Sequence, residues 1–240
     1  MKGEYLITKI LSDEEVDLVQ KQLKKAENED WNDGISSLGG EEPRNEEEIK
    51  ESHRLKLNYE LVDNTIHDKL CKIILPKFYD NFDVIKNLVP EHVSTPIISK
   101  MSKGCFYKTH LDSSPLKEYS ASLFLNSPDT YIGGELKLKL STGIKKFKLN
   151  AGEAIIYETG TTHEVTEVVD GIRYVGVFWI KSFIKDKFIR GIASDLYHLK
   201  SLTDFHREPL SIEDSMQSPV YLIDEILQNL KRNYSDHDIS

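Results

Sequence analysis

Hydrophobic positions along this chain switch between two periods. Val16, Val19, Leu23 and Ala26 recur at helical spacing, with Ser12 and Glu15 forming an S-x-x-E capping box and Leu11 and Val16 at the staple positions around it. This predicts a helix over residues 13–26. Residues 27–48 follow as a polar stretch rich in Asn, Asp, Glu and Gly with Pro43, which reads as a long surface loop with the character of a lid. Leu61, Ile66, Leu70 and Ile73 then predict a second helix over residues 59–75, stopped by Pro76. From about Val93 the period shortens to two. Short segments rich in β-branched and aromatic residues alternate with turn signals such as Ser127-Pro128-Asp129, Gly133-Gly134 and Asn150-Ala151-Gly152. Strands are expected at 96–101, 105–111, 120–126, 135–140, 143–149, 154–157, 163–168 and 172–180. That many short strands at this spacing favour a sandwich or jelly roll. The helical period returns in the stripe Ile184, Phe188, Ile192, Leu196 and Leu199, and again in Ile223, Leu227 and Leu230. The expected class is mixed α and β: a β core over 93–182 flanked by an amino-terminal helical part (1–92) and a carboxy-terminal helical extension (183–240), the helices covering one face of the core.

Composition narrows the function. The 240 residues carry 40 acidic and 31 basic side chains, a net charge of −9, so a surface that neutralises nucleic-acid phosphates is not expected. The longest notable apolar run, Tyr174 to Ile180, is far shorter than the roughly 20 residues of a membrane span. Charges at Lys2, Glu4 and Lys9 interrupt the start, where a secretory leader would be apolar. Cys71 and Cys105 build no disulfide framework. The expectation is a soluble cytoplasmic protein; the apolar content of its terminal helices permits a homodimer.

Two histidines begin an H-x-[DE] pair: His110-x-Asp112 in a strand-like segment, and His206-x-Glu208 in a polar stretch where a solvated surface is the simpler reading. Spacing of two on a strand puts both side chains on one side, where they can chelate one metal ion. His163, opening another strand, supplies a third donor. Two imidazoles and one carboxylate leave coordination positions open, as in facial-triad Fe(II) oxygenases, although the same donors suit zinc. Arg173 begins an Arg-Tyr-Val-Gly-Val-Phe-Trp-Ile strand with Val175, Val177 and Trp179 on its own face. Both faces are apolar, so its guanidinium is expected to be buried and to need an anion. A dicarboxylate co-substrate would supply one, because the planar fork of Arg matches a carboxylate; a structural salt bridge is the alternative.

His110-Leu-Asp112, the block Leu123-Phe-Leu-Asn-Ser-Pro-Asp-Thr-Tyr-Ile-Gly-Gly-Glu-Leu136, Ala151-Gly-Glu-Ala-Ile-Ile-Tyr157, His163-Glu-Val-Thr and Arg173 stand in the order and spacing of a known family. Together they resemble the Fe(II)- and 2-oxoglutarate-dependent dioxygenases, in particular the PKHD-type hydroxylases related to prolyl 4-hydroxylase and procollagen lysyl hydroxylase. The resemblance implies a double-stranded β-helix core, cupin-like in outline. It implies His110, Asp112 and His163 as Fe(II) ligands and Arg173 as the anchor for the distal carboxylate of 2-oxoglutarate. Oxygen would be the second co-substrate, succinate and carbon dioxide the by-products, and L-ascorbate an auxiliary reductant. The substrate would be a small molecule or peptide hydroxylated at a C–H bond of an amino-acid or prolyl- or lysyl-like residue. Two positions depart from the family pattern: Met101 and Phe124 stand where relatives often carry Tyr, which removes hydroxyl contacts to the co-substrate. A different cupin-like metal enzyme, or a β-sandwich binding module without catalysis, are the competing classes. Dependence on Arg173 and on metal separates them.

Overall fold

The computed structural model describes residues 3–38, 45–112, 118–204 and 219–234. Strand β1 (Tyr5–Lys9) leads into helix α1 (Asp13–Leu23). The capping box forms as the sequence implies: the Glu15 amide donates to Ser12 Oγ (3.3 Å) and the Ser12 amide to the Glu15 carboxylate (2.8 Å). The 27–48 stretch is not the continuous loop expected. Among its described residues, β2 (Trp31–Asp33) joins the main sheet and α2 (Glu46–Leu55) starts under an Asn45–Glu48 capping box; Pro43 lies outside the described residues. The next expected helix is also corrected at both ends. After the two-residue β3 (Lys56–Leu57), Tyr59 to Leu61 form β4 (Tyr59–Leu61), because pairing with β2 and the sheet beyond overrides the apolar spacing. Helix α3 (Asn64–Asp80) starts at an Asp63 cap and runs through Pro76. Burial of Ile74 and Phe78 on the sheet outweighs the backbone bond that a proline removes.

Helix α4 (Phe82–Leu88) and strand β5 (Pro90–Val93) complete the amino-terminal part. The core strands are β6 (Ile97–Met101), β7 (Phe106–His110), β8 (Tyr119–Phe124), β9 (Tyr131–Gly133), β10 (Leu136–Leu140), β11 (Gly143–Phe147), β12 (Glu153–Glu158), β13 (His163–Val165), β14 (Val168–Gly171) and β15 (Arg173–Ser182). Apart from β9 and β14, which pair with each other, they fall into two antiparallel sheets. The larger runs β1-β12-β8-β15-β6-β4-β2, with β5 also on β15; the smaller runs β11-β10-β13-β7-β3. The strand expected over 163–168 is divided: β13 stays in the smaller sheet and β14 pairs with β9 apart from both.

Helices α1, α3 and α4 cover one face of the larger sheet, and Val19, Leu70, Phe78 and Leu88 meet Leu123, Ile156 and Phe178 there. Its other face packs on the smaller sheet through Phe124, Leu136, Leu138, Ile155 and Val175. The carboxy-terminal helices α5 (Lys187–Asp204) and α6 (Pro219–Tyr234) do not share the first layer as expected. Ile184, Ala193, Ile223 and Leu227 close around Val89 in a separate cluster, but the expected α5 stripe is only partly buried: Phe188, Ile192 and Leu199 are exposed, and Ile189, Ala193 and Leu196 form the packed face instead, because α5 lies against both α4 and α6. No helix among the described residues is long and apolar enough to cross a membrane.

Candidate metal centre and its cavity

The two sheets part at one end into a cavity lined by His110, Asp112, His163 and Arg173. Strands β7 and β13 pair so that His110 stands directly across from His163. A bulge at the next step stacks Tyr107 flat against His110, ring centres 3.5 Å apart. Each imidazole is fixed from behind. His110 Nδ1 lies 2.8 Å from the Lys108 carbonyl and His163 Nδ1 2.8 Å from the Thr161 carbonyl. A carbonyl only accepts, so both Nδ1 atoms carry the proton and both Nε2 lone pairs face the centre. Burial, then the neighbouring His163, hold the His110 pKa down to about 4, which keeps its ring neutral at pH 7.

Asp112 follows β7 and reaches across to the larger sheet. Its Oδ2 accepts from Ser120 Oγ (2.6 Å) and from the Trp179 indole Nε1 (3.2 Å). Its Oδ1 is left facing His110 Nε2 at 3.9 Å and His163 Nε2 at 3.8 Å. One donor atom from each of the three residues lies within 4.8 Å of the others, a spacing that can close around one ion. Ser120 and Trp179 were not singled out as part of the site. Trp179 was legible in part, since strand alternation puts it on the Arg173 face; Ser120 gave no signal.

Arg173 is 3% exposed, and among the described residues no carboxylate pairs with it. Its Nη1 donates to the Met101 sulfur (3.5 Å), its guanidinium lies 5.3 Å from the Phe124 ring centre, and Nε has no partner. The two positions that depart from the family pattern therefore pack around the arginine. Burial holds the Arg173 pKa below its ordinary value, and Tyr131 and Tyr157 beside it, which were not legible as site residues in the sequence, offset part of that shift. Gly134 holds φ +67° in the turn beside it, and a Cβ there would stand 3.0 Å from Arg173 Cδ, so a side chain would crowd the arginine. An unanswered buried cation facing the same cavity as three metal-type donors fits a bound dicarboxylate.

The other wall combines Ser37, from the stretch expected to be a loop, with residues of β3, β4 and the turn between them. Buried Lys56 donates to Gly34 O (2.8 Å), Glu60 Oε1 (2.7 Å) and Ser37 Oγ, and stands over the Tyr107 ring. Asn58 donates to Ser99 Oγ (2.9 Å) beside them. His206 and Glu208 lie outside the described residues.

Comparison with known proteins agrees with this geometry. Residues 96–181 match the family model of the 2OG-Fe(II) oxygenase superfamily. A PKHD-type hydroxylase of Prochlorococcus marinus (strain MIT 9301) is 32% identical over 80% of this chain and 84% of its own length. Another PKHD-type hydroxylase, from Pseudoalteromonas atlantica, is 27% identical over 96% of this chain and 98% of its own. Among solved structures, a prolyl hydroxylase of Trichoplax adhaerens, in complex with a hypoxia inducible factor peptide fragment, superposes with a TM-score of 0.59 at 14% identity, covering 75% of this chain and 84% of that one. A Pseudomonas putida prolyl-4-hydroxylase gives 0.52 at 15%, covering 75% and 94%. With that identity sustained over most of both chains, the protein belongs to the 2OG-Fe(II) oxygenase superfamily, among the PKHD-type hydroxylases, and is an oxygenase that works with Fe(II), 2-oxoglutarate and O2.

Proposed function

We propose that His110, Asp112 and His163 hold the Fe(II), that Arg173 grips the distal carboxylate of 2-oxoglutarate, and that the substrate is an amino acid or a peptide hydroxylated at a C–H bond. The observation carrying this reading is the buried, carboxylate-free Arg173 in one cavity with three convergent donors. Bound iron supplies the oxygen activation, coupled to conversion of 2-oxoglutarate into succinate and carbon dioxide. The protein's own residues supply position. Lys108 and Thr161 carbonyls aim the two imidazoles, Ser120 and Trp179 hold one Asp112 oxygen so that the other is free, and Arg173 sets the co-substrate's direction. Tyr107, Val175 and Val177 give the cavity apolar walls that limit water.

The division of labour follows the chain. Residues 93–182 carry the metal and co-substrate groups, 1–92 add the Lys56–Glu60 wall against which a substrate would lie, and from 183–240 helices α5 and α6 pack together beside α4. Cytoplasmic residence suits two unpaired cysteines, and ascorbate would serve as the reductant after unproductive turnover. The test is an anaerobic titration with Fe(II) and 2-oxoglutarate, followed by a succinate-release screen against amino acids and peptides. Tight binding of both with substrate-stimulated succinate is expected. Failure of Asp112→Ala to weaken Fe(II) binding would remove the assignment.

A further inference from the structure

A second cavity, of about 330 Å³, shares Asp112 with the first. Tyr119 and Thr159 come to it from the larger sheet and its loops, Lys187 and Arg190 from α5. Arg190 is the largest fully buried side chain of the described residues, 2% exposed. Its Nη1 donates to the Ile184 carbonyl, and its guanidinium lies 5.2 Å from the Tyr119 ring centre. Nε has no partner. No carboxylate of the described residues forms an ion pair with it. The two glutamates at the cavity are engaged elsewhere: Glu158 takes Lys187 on both oxygens (2.8 Å each), and Glu118 accepts from the Ser182 amide (2.8 Å).

A buried guanidinium without a counter-charge is unfavourable unless an anion answers it. We infer that this cavity is an anion subsite for the substrate, in which Arg190 receives a carboxylate of the molecule being hydroxylated. A carboxylate fits better than a phosphate. The planar fork of the Arg190 guanidinium matches two coplanar oxygens, and Glu118, Glu158 and Asp112, which also line the cavity, oppose a dianion. The 2-oxoglutarate carboxylate has its own arginine in the neighbouring cavity. Because Asp112 belongs to both cavities, a substrate held by its carboxylate at Arg190 extends toward the proposed iron site. The inference rests on the metal reading only for where the reacting C–H bond lies.

The test measures equilibrium binding rather than turnover. Anaerobic protein loaded with Fe(II) and 2-oxoglutarate is titrated calorimetrically with N-acetylproline and N-acetyllysine, with their carboxamides, and with N-acetylglutamic acid α-amide. The first two acids carry a main-chain carboxylate and the last only a side-chain one, so the series also separates the two sources. At least one acid is expected to bind roughly 10- to 150-fold tighter than its amide, the range of a charge-assisted contact. In Arg190→Met that ratio should fall to about one, while Arg190→Lys keeps part of it. Fe(II) and 2-oxoglutarate affinities should not move in either variant. A lowered melting temperature with an unchanged acid-to-amide ratio would overturn the inference, as would no binding by any acid. Should Arg190→Met fail to fold, the exposed Lys187→Met decides: freeing Glu158 to repel the acid should lower the ratio about two- to five-fold, and an unchanged ratio refutes the subsite. Loss of Fe(II) or 2-oxoglutarate binding by the unaltered protein would instead count against the metal reading, and the ratio can still be read on metal-free protein.

Discussion

Arg173 and Arg190 are both buried, both lack a carboxylate, and both keep an unpartnered Nε, yet they sit in different kinds of scaffold. Arg173 starts a ten-residue strand paired on both sides, β8 and β6, so its backbone has little freedom. Its surroundings are a thioether and aromatic rings. Arg190 projects from a helix at the rim of the core, and one of its donors is already committed to the Ile184 carbonyl. A strand-borne cation among apolar groups would give a fixed anchor, as the proposed grip on 2-oxoglutarate requires. A helix-borne cation that is partly engaged gives an anchor whose position depends on how α5 packs against α4 and α6.

The largest effect that could break this comparison is at the metal. His110→Ala should abolish retention of Fe(II), measured by metal analysis after dialysis, whereas Arg173→Lys and Arg190→Lys should both keep it. Next comes the co-substrate: Arg173→Lys keeps charge but loses the planar fork, and should cost about 1.5–3 kcal/mol, or roughly 10- to 150-fold in 2-oxoglutarate Kd. A structural salt bridge predicts early melting with normal 2-oxoglutarate binding. Trp179→Phe removes one of the two donors holding Asp112 and should weaken metal affinity roughly 10- to 100-fold, read by competition with a chelator; an unchanged affinity would show that Ser120 alone orients the carboxylate. The smallest effect lies away from both arginines. Lys77, bonded to Glu15, holds the Glu15 carboxyl below its ordinary value of 4.5. The folded state therefore gains from this group above pH 4.5, and the gain disappears as pH falls through the lowered folded value. Lys77→Met should flatten the acid limb of a melting-temperature profile slightly and leave it unchanged at pH above 6.

How far the sequence carried depends on which physical signal each residue emits. His110, Asp112 and Arg173 lie on or beside strands whose alternation fixes facing, so their convergence could be anticipated from spacing. The Met101 and Phe124 departures could be noted, but not that both would pack on Arg173. The short strands β2 and β4 carry too few residues for a period to show; Trp31 is in the sheet because Leu61 pairs with it, a contact made thirty positions away. Pro76 was read as a stop because local backbone chemistry was the only visible term, while the burial of Phe78 that outweighs it is tertiary. Arg190 lies off the apolar stripe of an amphipathic helix, where a charged residue ordinarily marks the wet face.

The direct pairing of His110 with His163 has a consequence for how the protein reaches its working state. Neighbouring residues on a strand point to opposite faces, so a slip of β13 by one position against β7 would turn one imidazole away from Asp112. A misaligned chain could still bury most of its apolar side chains, but it could not assemble three ligands. With the proposed ligand set, metal capture would therefore report on strand alignment. Iron supplied during refolding would withdraw only correctly aligned molecules from the mixture, making the ion a proofreader of the fold as well as its chemical instrument.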